Sequence, residues 1–181
     1  MSITTIIENI ETLKGSGNYK KAREVAEKAL VEHADDYRLY EEIADIALFE
    51  GNIPEAKSML AHAESLHDAS ATGVYLRGYA AIAENDFQKA IEYLTKANTL
   101  FPNNPEILRN LWWAYCMMNQ HTKGVMILRR AHNLAPEDDM IAEDLAVWLV
   151  SSWEVAEGIK ILEKFGKKDR IASMKDFGLL E

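Results

Sequence analysis

Residues 71–104 read ATGVYLRGYA AIAENDFQKA IEYLTKANTL FPNN, and this stretch decides the fold because its landmarks return every 34 residues. The pair Asn85-Asp86 answers to Gly17-Asn18, Gly51-Asn52 and Asn119-Gln120. Ala90 answers to Ala22, Ala56, Gly124 and Gly158, and Ala97 to Ala29, Ala63 and Ala131. Pro102 returns as Pro136. The period holds without insertion over five blocks, 3–36, 37–70, 71–104, 105–138 and 139–172. A repeat of this length marks helical hairpins: one hairpin cannot bury its apolar face alone, so neighbours must stack.

Each block is read as a helix A, a tight turn and a helix B. Asn104-Pro105-Glu106 supplies an N-cap, a proline at the first helical position where its missing N–H costs nothing, and an acid favoured by the helix dipole. Asp138-Asp139 after Pro136 starts the fifth block in the same way. Gly51-Asn52 and Asn85-Asp86 tolerate the left-handed backbone that a short turn between helices needs. The small residue of helix B lets two helices approach closely, and Gly124 and Gly158 take this further at about 1 kcal/mol of helix propensity each.

Composition bounds the function classes. Apolar residues make up 48% and charged residues 27%, with only nine glycines and four prolines, so the 181-residue chain is expected to fold throughout as one domain. A net charge of -9 argues against nucleic acid as a partner, because phosphate binding rests on a surplus of Lys and Arg. Residues 160–175 nevertheless carry six Lys or Arg against two acids. That basic end is either a solvated cap or an electrostatic contact with the acidic body. A single cysteine, Cys116, fits a reducing compartment, the cytoplasm. The first residues lack a basic region followed by an apolar run, so no signal peptide is expected. No stretch nears the roughly 20 apolar residues of a membrane span, so direct membrane insertion is not expected.

The five blocks in register resemble the tetratricopeptide-repeat (TPR) family over residues 3–172, most clearly in the third block (Gly78, Asn85-Asp86-Phe87, Ala90, Leu94, Ala97, Pro102) and the second (Ala44, Gly51-Asn52, Ala56, Leu60, Ala63). The resemblance implies an all-α fold, a right-handed α-solenoid of stacked antiparallel helix pairs. Residues 173–181 then form a C-terminal cap or tail. Departures from the family pattern are Trp153 at a turn glycine, Phe165 at the helix B alanine, and Arg77 where leucine is usual. The Arg77 stem can pack while its head reaches water, or the head can meet a ligand.

Residues advance by roughly 100° around a helix, so block positions 4, 7, 8 and 11 of helix A share one face. In the fourth block these are Leu108, Leu111, Trp112 and Tyr115, a core set. Positions 2, 5, 9, 12 and 13 lie opposite, where the resemblance places a concave groove. They hold Arg38, Glu41, Asp45, Leu48 and Phe49 in the second block, Thr72, Tyr75, Tyr79, Ile82 and Ala83 in the third, and Glu106, Arg109, Trp113, Cys116 and Met117 in the fourth. An ordinary surface helix would be polar there. Tyr75, Tyr79, Trp113 and Met117 are therefore the candidate anchors for a partner, with Glu41, Asp45 and Arg109 selecting charge and register. Each ring has a competing role, packing between neighbouring helices A.

TPR domains that capture chaperone C-termini use Lys, Asn and Arg at set helix A positions. Here those places hold Ile7, Glu11, Glu42, Thr72 and Leu76, or one block later Glu41, Asp45, Leu76, Glu106 and Asn110. The acidic entrance instead favours a protein or peptide with basic and apolar groups. No zinc-spaced Cys or His set, HExxH, phosphate loop or nucleophile elbow is present, so neither metal, cofactor nor catalysis is expected. Two functions follow: an adaptor or scaffold that holds a partner peptide or helix in the groove, or a structural subunit of a larger or homo-oligomeric assembly. For the end of the chain, residues 168–176 suit a short helix over the last hairpin. Phe177-Gly178-Leu179-Leu180 suits either that cap or head-to-tail docking into a neighbouring molecule.

Overall fold

The computed structural model describes residues 2–68 and 70–176, so the Phe177-Leu180 segment lies outside the described residues. Among the described residues there are eleven helices and no strand. Backbone contacts divide the chain into two compact units, residues 1–101 and 102–181.

The first unit holds α1 (Ile3–Gly15), α2 (Tyr19–Leu30), α3 (Tyr37–Phe49), α4 (Ile53–Leu66), α5 (Ala71–Ala83) and α6 (Phe87–Leu100). They pack as the pairs α1 with α2, α3 with α4 and α5 with α6. Each second helix lies on the next first helix, and the first helices also touch one another, α1 on α3 and α3 on α5. The second unit holds α7 (Pro105–Met117), α8 (His121–Leu134), α9 (Asp139–Ser151), α10 (Val155–Lys164) and α11 (Lys168–Asp176). Here α7 pairs with α8 and α9 with α10, α8 lies on α9, and α11 packs on α10. The first helices start at residues 3, 37, 71, 105 and 139 and the second at 19, 53, 87, 121 and 155, so the 34-residue period of the sequence is also the period of the helices.

The turn inside each pair needs one residue in the left-handed region, and that residue recurs in step with the period: Gly17 (φ 76°), Gly51 (φ 76°), Asn85 (φ 61°), Asn119 (φ 58°) and Trp153 (φ 69°). Glycine and asparagine take this conformation readily; a bulky residue does so at roughly 1–2 kcal/mol. The capping residue that follows shows the same drift. Asn18, Asn52 and Asp86 each accept a hydrogen bond from the backbone N–H three residues on, whereas Gln120 and Glu154, one methylene longer, make no such bond.

The helix B row Ala22, Ala56, Ala90, Gly124 and Gly158 is buried throughout. At Gly158 an added methyl carbon would stand 2.7 Å from the Ala146 carbonyl oxygen and 2.8 Å from Val150 Cγ2. At Gly124 it would stand 2.9 Å from Cys116 Sγ and 3.1 Å from Trp112 Cδ1. The glycines of the second unit thus mark tighter contact, and Trp112 is buried as expected. In α11, Met174 is buried against Ala146, Val150 and Leu162, with Ile171 beside it. The basic end also makes contacts: Lys164 meets Glu137 at 2.8 Å, Lys167 meets Asp139 and Glu143 at 2.9 and 3.1 Å, and Arg170 meets Glu143 at 2.9 Å. Half of its cations are thereby held by acids of the same unit.

Three substitutions test this account of backbone and packing. Gly158→Ala lowers stability by about 1–3 kcal/mol despite alanine's better propensity, because a carbonyl cannot yield as a side-chain end can. Gly15→Ala, with nothing within 4 Å of the added carbon, raises it by about 0.5–1 kcal/mol; urea unfolding of both variants checks the contrast. Gln120→Asn restores the missing cap and raises the melting midpoint, with about 0.5–2 kcal/mol expected.

Candidate functional site

The outward face of the first helices is narrower than helix angles alone suggest. Positions 9 and 13 are open or half-open in α3, α5 and α7, whereas positions 5 and 12 turn into neighbouring helices. Leu48 is buried, and Cys116 packs beside Trp112 and α8 rather than facing outward. Burial pushes the Cys116 thiol pKa up, away from thiolate chemistry.

In the first unit, Glu41 is buried at 5% exposure rather than standing at a groove entrance. Burial pushes its carboxyl pKa up, and hydrogen bonds from the Ser70 hydroxyl and the Gly73 N–H act in the opposite direction without cancelling it. Glu41 thus fastens α3 to the start of α5. Asp45 is half-exposed, and its Oδ2 takes Lys14 Nζ at 2.6 Å; the same ammonium lies 2.6 Å from Glu42 Oε2. Burial tends to lower the Lys14 pKa, but Asp45 and Glu42 outweigh it and the net shift is upward. Arg38 folds back onto Asp36, the N-cap of its own helix, at 2.9 and 2.7 Å. Tyr75 is half-buried against the cluster of Ala47, Leu60 and Leu76, while Tyr79, one turn on, is 40% exposed. Phe49 is exposed on one side and stacked on Tyr19 on the other, centroids 3.5 Å apart. Arg77 donates from Nη2 to the Leu60 carbonyl at 3.0 Å and to Glu64 at 2.6 Å, which ties α5 to α4.

In the second unit, Arg109 Nε meets Asp144 Oδ2 at 2.5 Å, linking α7 to α9. Trp113 is 44% exposed and sets its edge against buried Trp112, centroids 6.0 Å apart at 62°. Met117, one turn further, is 47% exposed, and Met118 beside it 39%. Sequence reasoning passes over Met118, although its position carries Glu50 and Glu84 in earlier blocks and an apolar residue there is the available signal. The structure therefore brings Trp113 and Met117 together on α7, and places Tyr79 and Tyr75 on α5 of the other unit. Among the described residues, no cluster of three or more His, Cys, Asp or Glu could hold a metal ion, and no helix is long and apolar enough to cross a membrane.

A family model described as tetratricopeptide repeat matches residues 81–146, a stretch that takes in the exposed Trp113 and Met117. The matched stretch is of tetratricopeptide-repeat type. Solved TPR-type structures agree with it in fold. A thermophilic TPR protein of Thermus thermophilus superposes with a TM-score of 0.77 at 20% identity, covering 95% of this chain and 98% of its own. MamA does so at 0.66 and 18% identity, with 96% and 98% covered. The Cut9–Hcn1 hetero-tetramer of the APC/C gives 0.79 and 18% identity, with 87% of this chain and 32% of the other covered. No curated protein sequence matches the chain. The fold is thus an all-α TPR solenoid fold, a kind of module whose general use is to hold proteins together.

The position of Glu41 sets a pH test. Its folded pKa lies above the ordinary 4.5, so the neutral carboxyl is favoured in the fold and that contribution is lost as pH rises through the raised value. Glu41→Gln removes this loss. The stability of the variant relative to the parent is expected to climb as pH rises past 4.5; a pH-independent difference in chemical denaturation would contradict the assignment.

Proposed function

We propose that this TPR protein is a non-catalytic adaptor or scaffold of the cytoplasm, one domain of five repeats, that binds a protein partner on the outward stripe of its first helices. The observation that carries this reading is the exposure of Tyr79, Trp113 and Met117 at 40%, 44% and 47% on helices whose other apolar residues are mostly covered. Tyrosine and tryptophan bury large area at small entropic cost, and methionine adapts to the shape it meets. Tyr75 backs Tyr79, Asp45 and Arg109 border the stripe in their own units, and Glu41 supports it from below. The ion pairs of Asp45 with Lys14 and of Arg109 with Asp144 hold both charges in place, so a partner meets oriented groups. An extended or helical segment with basic and apolar groups suits a chain of net charge -9.

The alternative, a structural subunit of a larger or homo-oligomeric assembly, draws support from one TPR-fold neighbour being a hetero-tetramer component. Its motive in the sequence is a free basic end, and the pairing of Lys164, Lys167 and Arg170 with Glu137, Asp139 and Glu143 weakens that motive.

Affinity purification from the native host, with mass spectrometry, supplies the partner. Tyr79→Ala combined with Trp113→Ala should then weaken the complex by at least about 2 kcal/mol, some thirtyfold in Kd, while circular dichroism stays unchanged. Unaltered affinity in the double variant overturns the stripe as the binding site.

A further inference from the structure

The outward stripe leaves a second feature of the first unit unused. A cavity of about 180 Å³ opens between α4, α5 and α6, lined by Lys57, Arg77, Glu84, Lys89 and Tyr93. Three cations and one carboxylate face this space, in a chain whose net charge is -9. The carboxylate is already engaged, since Lys57 Nζ lies 2.8 and 3.0 Å from the two Glu84 oxygens. Lys89 is held by Asp86 and Arg77 by Glu64, and neither acid lines the cavity. Among the described residues both hydrogen bonds of Arg77 leave from Nη2, so Nε and Nη1 keep their N–H groups there. The Tyr93 hydroxyl makes no hydrogen bond among the described residues. The cavity is therefore rich in donors and short of acceptors.

The chain contains its own control one period earlier. The corresponding positions between α2, α3 and α4 are Arg23 for Lys57, Ile43 for Arg77, Glu50 for Glu84, Glu55 for Lys89 and Met59 for Tyr93. There a single guanidinium is satisfied by two carboxylates, Glu50 at 2.6 Å and Glu55 at 2.7 Å. Moving one repeat along, an acid becomes a lysine, an isoleucine becomes an arginine and a methionine becomes a tyrosine. All three changes add donors, and one also removes an acceptor. The earlier junction packs with Ile43 and Met59 at two of these places, and of the three new residues only Arg77, through Nη2, ties neighbouring helices together among the described residues.

We infer that the cavity between α4 and α6 binds a phosphate group, free in solution or carried as an ester on another molecule. The lining alone sums to +2, and with Glu64 and Asp86, which pair with Arg77 and Lys89 from outside the lining, the charge is zero. A phosphate of about -1.5 to -2 at neutral pH therefore binds by displacing those two acids from guanidinium and ammonium donors suited to its oxygens, with the Tyr93 phenol as a further donor. This site is separate from the outward stripe and stands whether or not that surface binds a partner.

The test uses the full chain labelled with nitrogen-15 and titrated with inorganic phosphate, with O-phosphoserine, and with sodium chloride at matched ionic strength. Saturable amide shifts at Lys57, Arg77, Lys89 and Tyr93 are expected with both phosphates. Lys89→Glu, which restores the carboxylate found at Glu55, should raise Kd by about tenfold or more. Folding of that variant should be intact, since glutamate three residues after the Asp86 cap completes a capping box. Tighter binding of phosphoserine would point to an ester as the source, and tighter binding of the inorganic ion to free phosphate. Shifts that chloride reproduces, or that persist unchanged in Lys89→Glu, overturn the proposal.

Discussion

How near two helices can come is set by the side chains at their crossing, and in each pair of this protein the second helix contributes a methyl group or less there. Ala22, Ala56, Ala90, Gly124 and Gly158 stand where the second helix meets the first, all of them buried. Volume is traded across the contact. Trp112 occupies a place that Ala44 and Gly78 hold in earlier blocks, and the helix opposite it presents Gly124, with Trp112 Cδ1 at the distance of a tight contact. Where the first helix carries Gly78, the partner supplies Leu94 instead. The interior keeps its density by exchanging bulk between partners.

That close approach also shapes the surface. Once the second helix sits deep against the first, and a neighbouring pair covers the flank, only a thin strip of each first helix remains open. Tyr79, Trp113 and Met117 fall on the strip, whereas Glu41 and Leu48 are drawn under cover. A buried carboxylate such as Glu41 persists only with donors at hand, and Ser70 and Gly73 provide them. The charges bordering the strip are likewise held in place, Asp45 by Lys14 and Arg109 by Asp144.

The fold was legible because its signals are local. Asn104-Pro105-Glu106 and Asp138-Asp139 start helices through interactions spanning three or four residues, and the turn residue repeats in step even where Trp153 replaces glycine. Of the core set Leu108, Leu111, Trp112 and Tyr115 that helix angle gives, the first three are buried and Tyr115 is half-buried. The outward face was harder to read, since angle separates core from surface but not open surface from surface covered by the next helix. Glu41 was misplaced for that reason: its donors, Ser70 and Gly73, lie beyond an intervening helix. Arg77 was visible as a departure from the family pattern, but its bonds to Leu60 and Glu64 depend on packing between α4 and α5.

The attachment of α11 has a dynamic consequence. This nine-residue helix is too short to hold together in water by itself. Its grip on the second unit combines buried Met174 with the ion pairs of Lys167 and Arg170 to acids of α9. Added salt screens the ionic part and leaves the apolar part in place. Local opening of the molecule should therefore begin at this end, and the ionic strength of the medium governs how often the last hairpin stands bare.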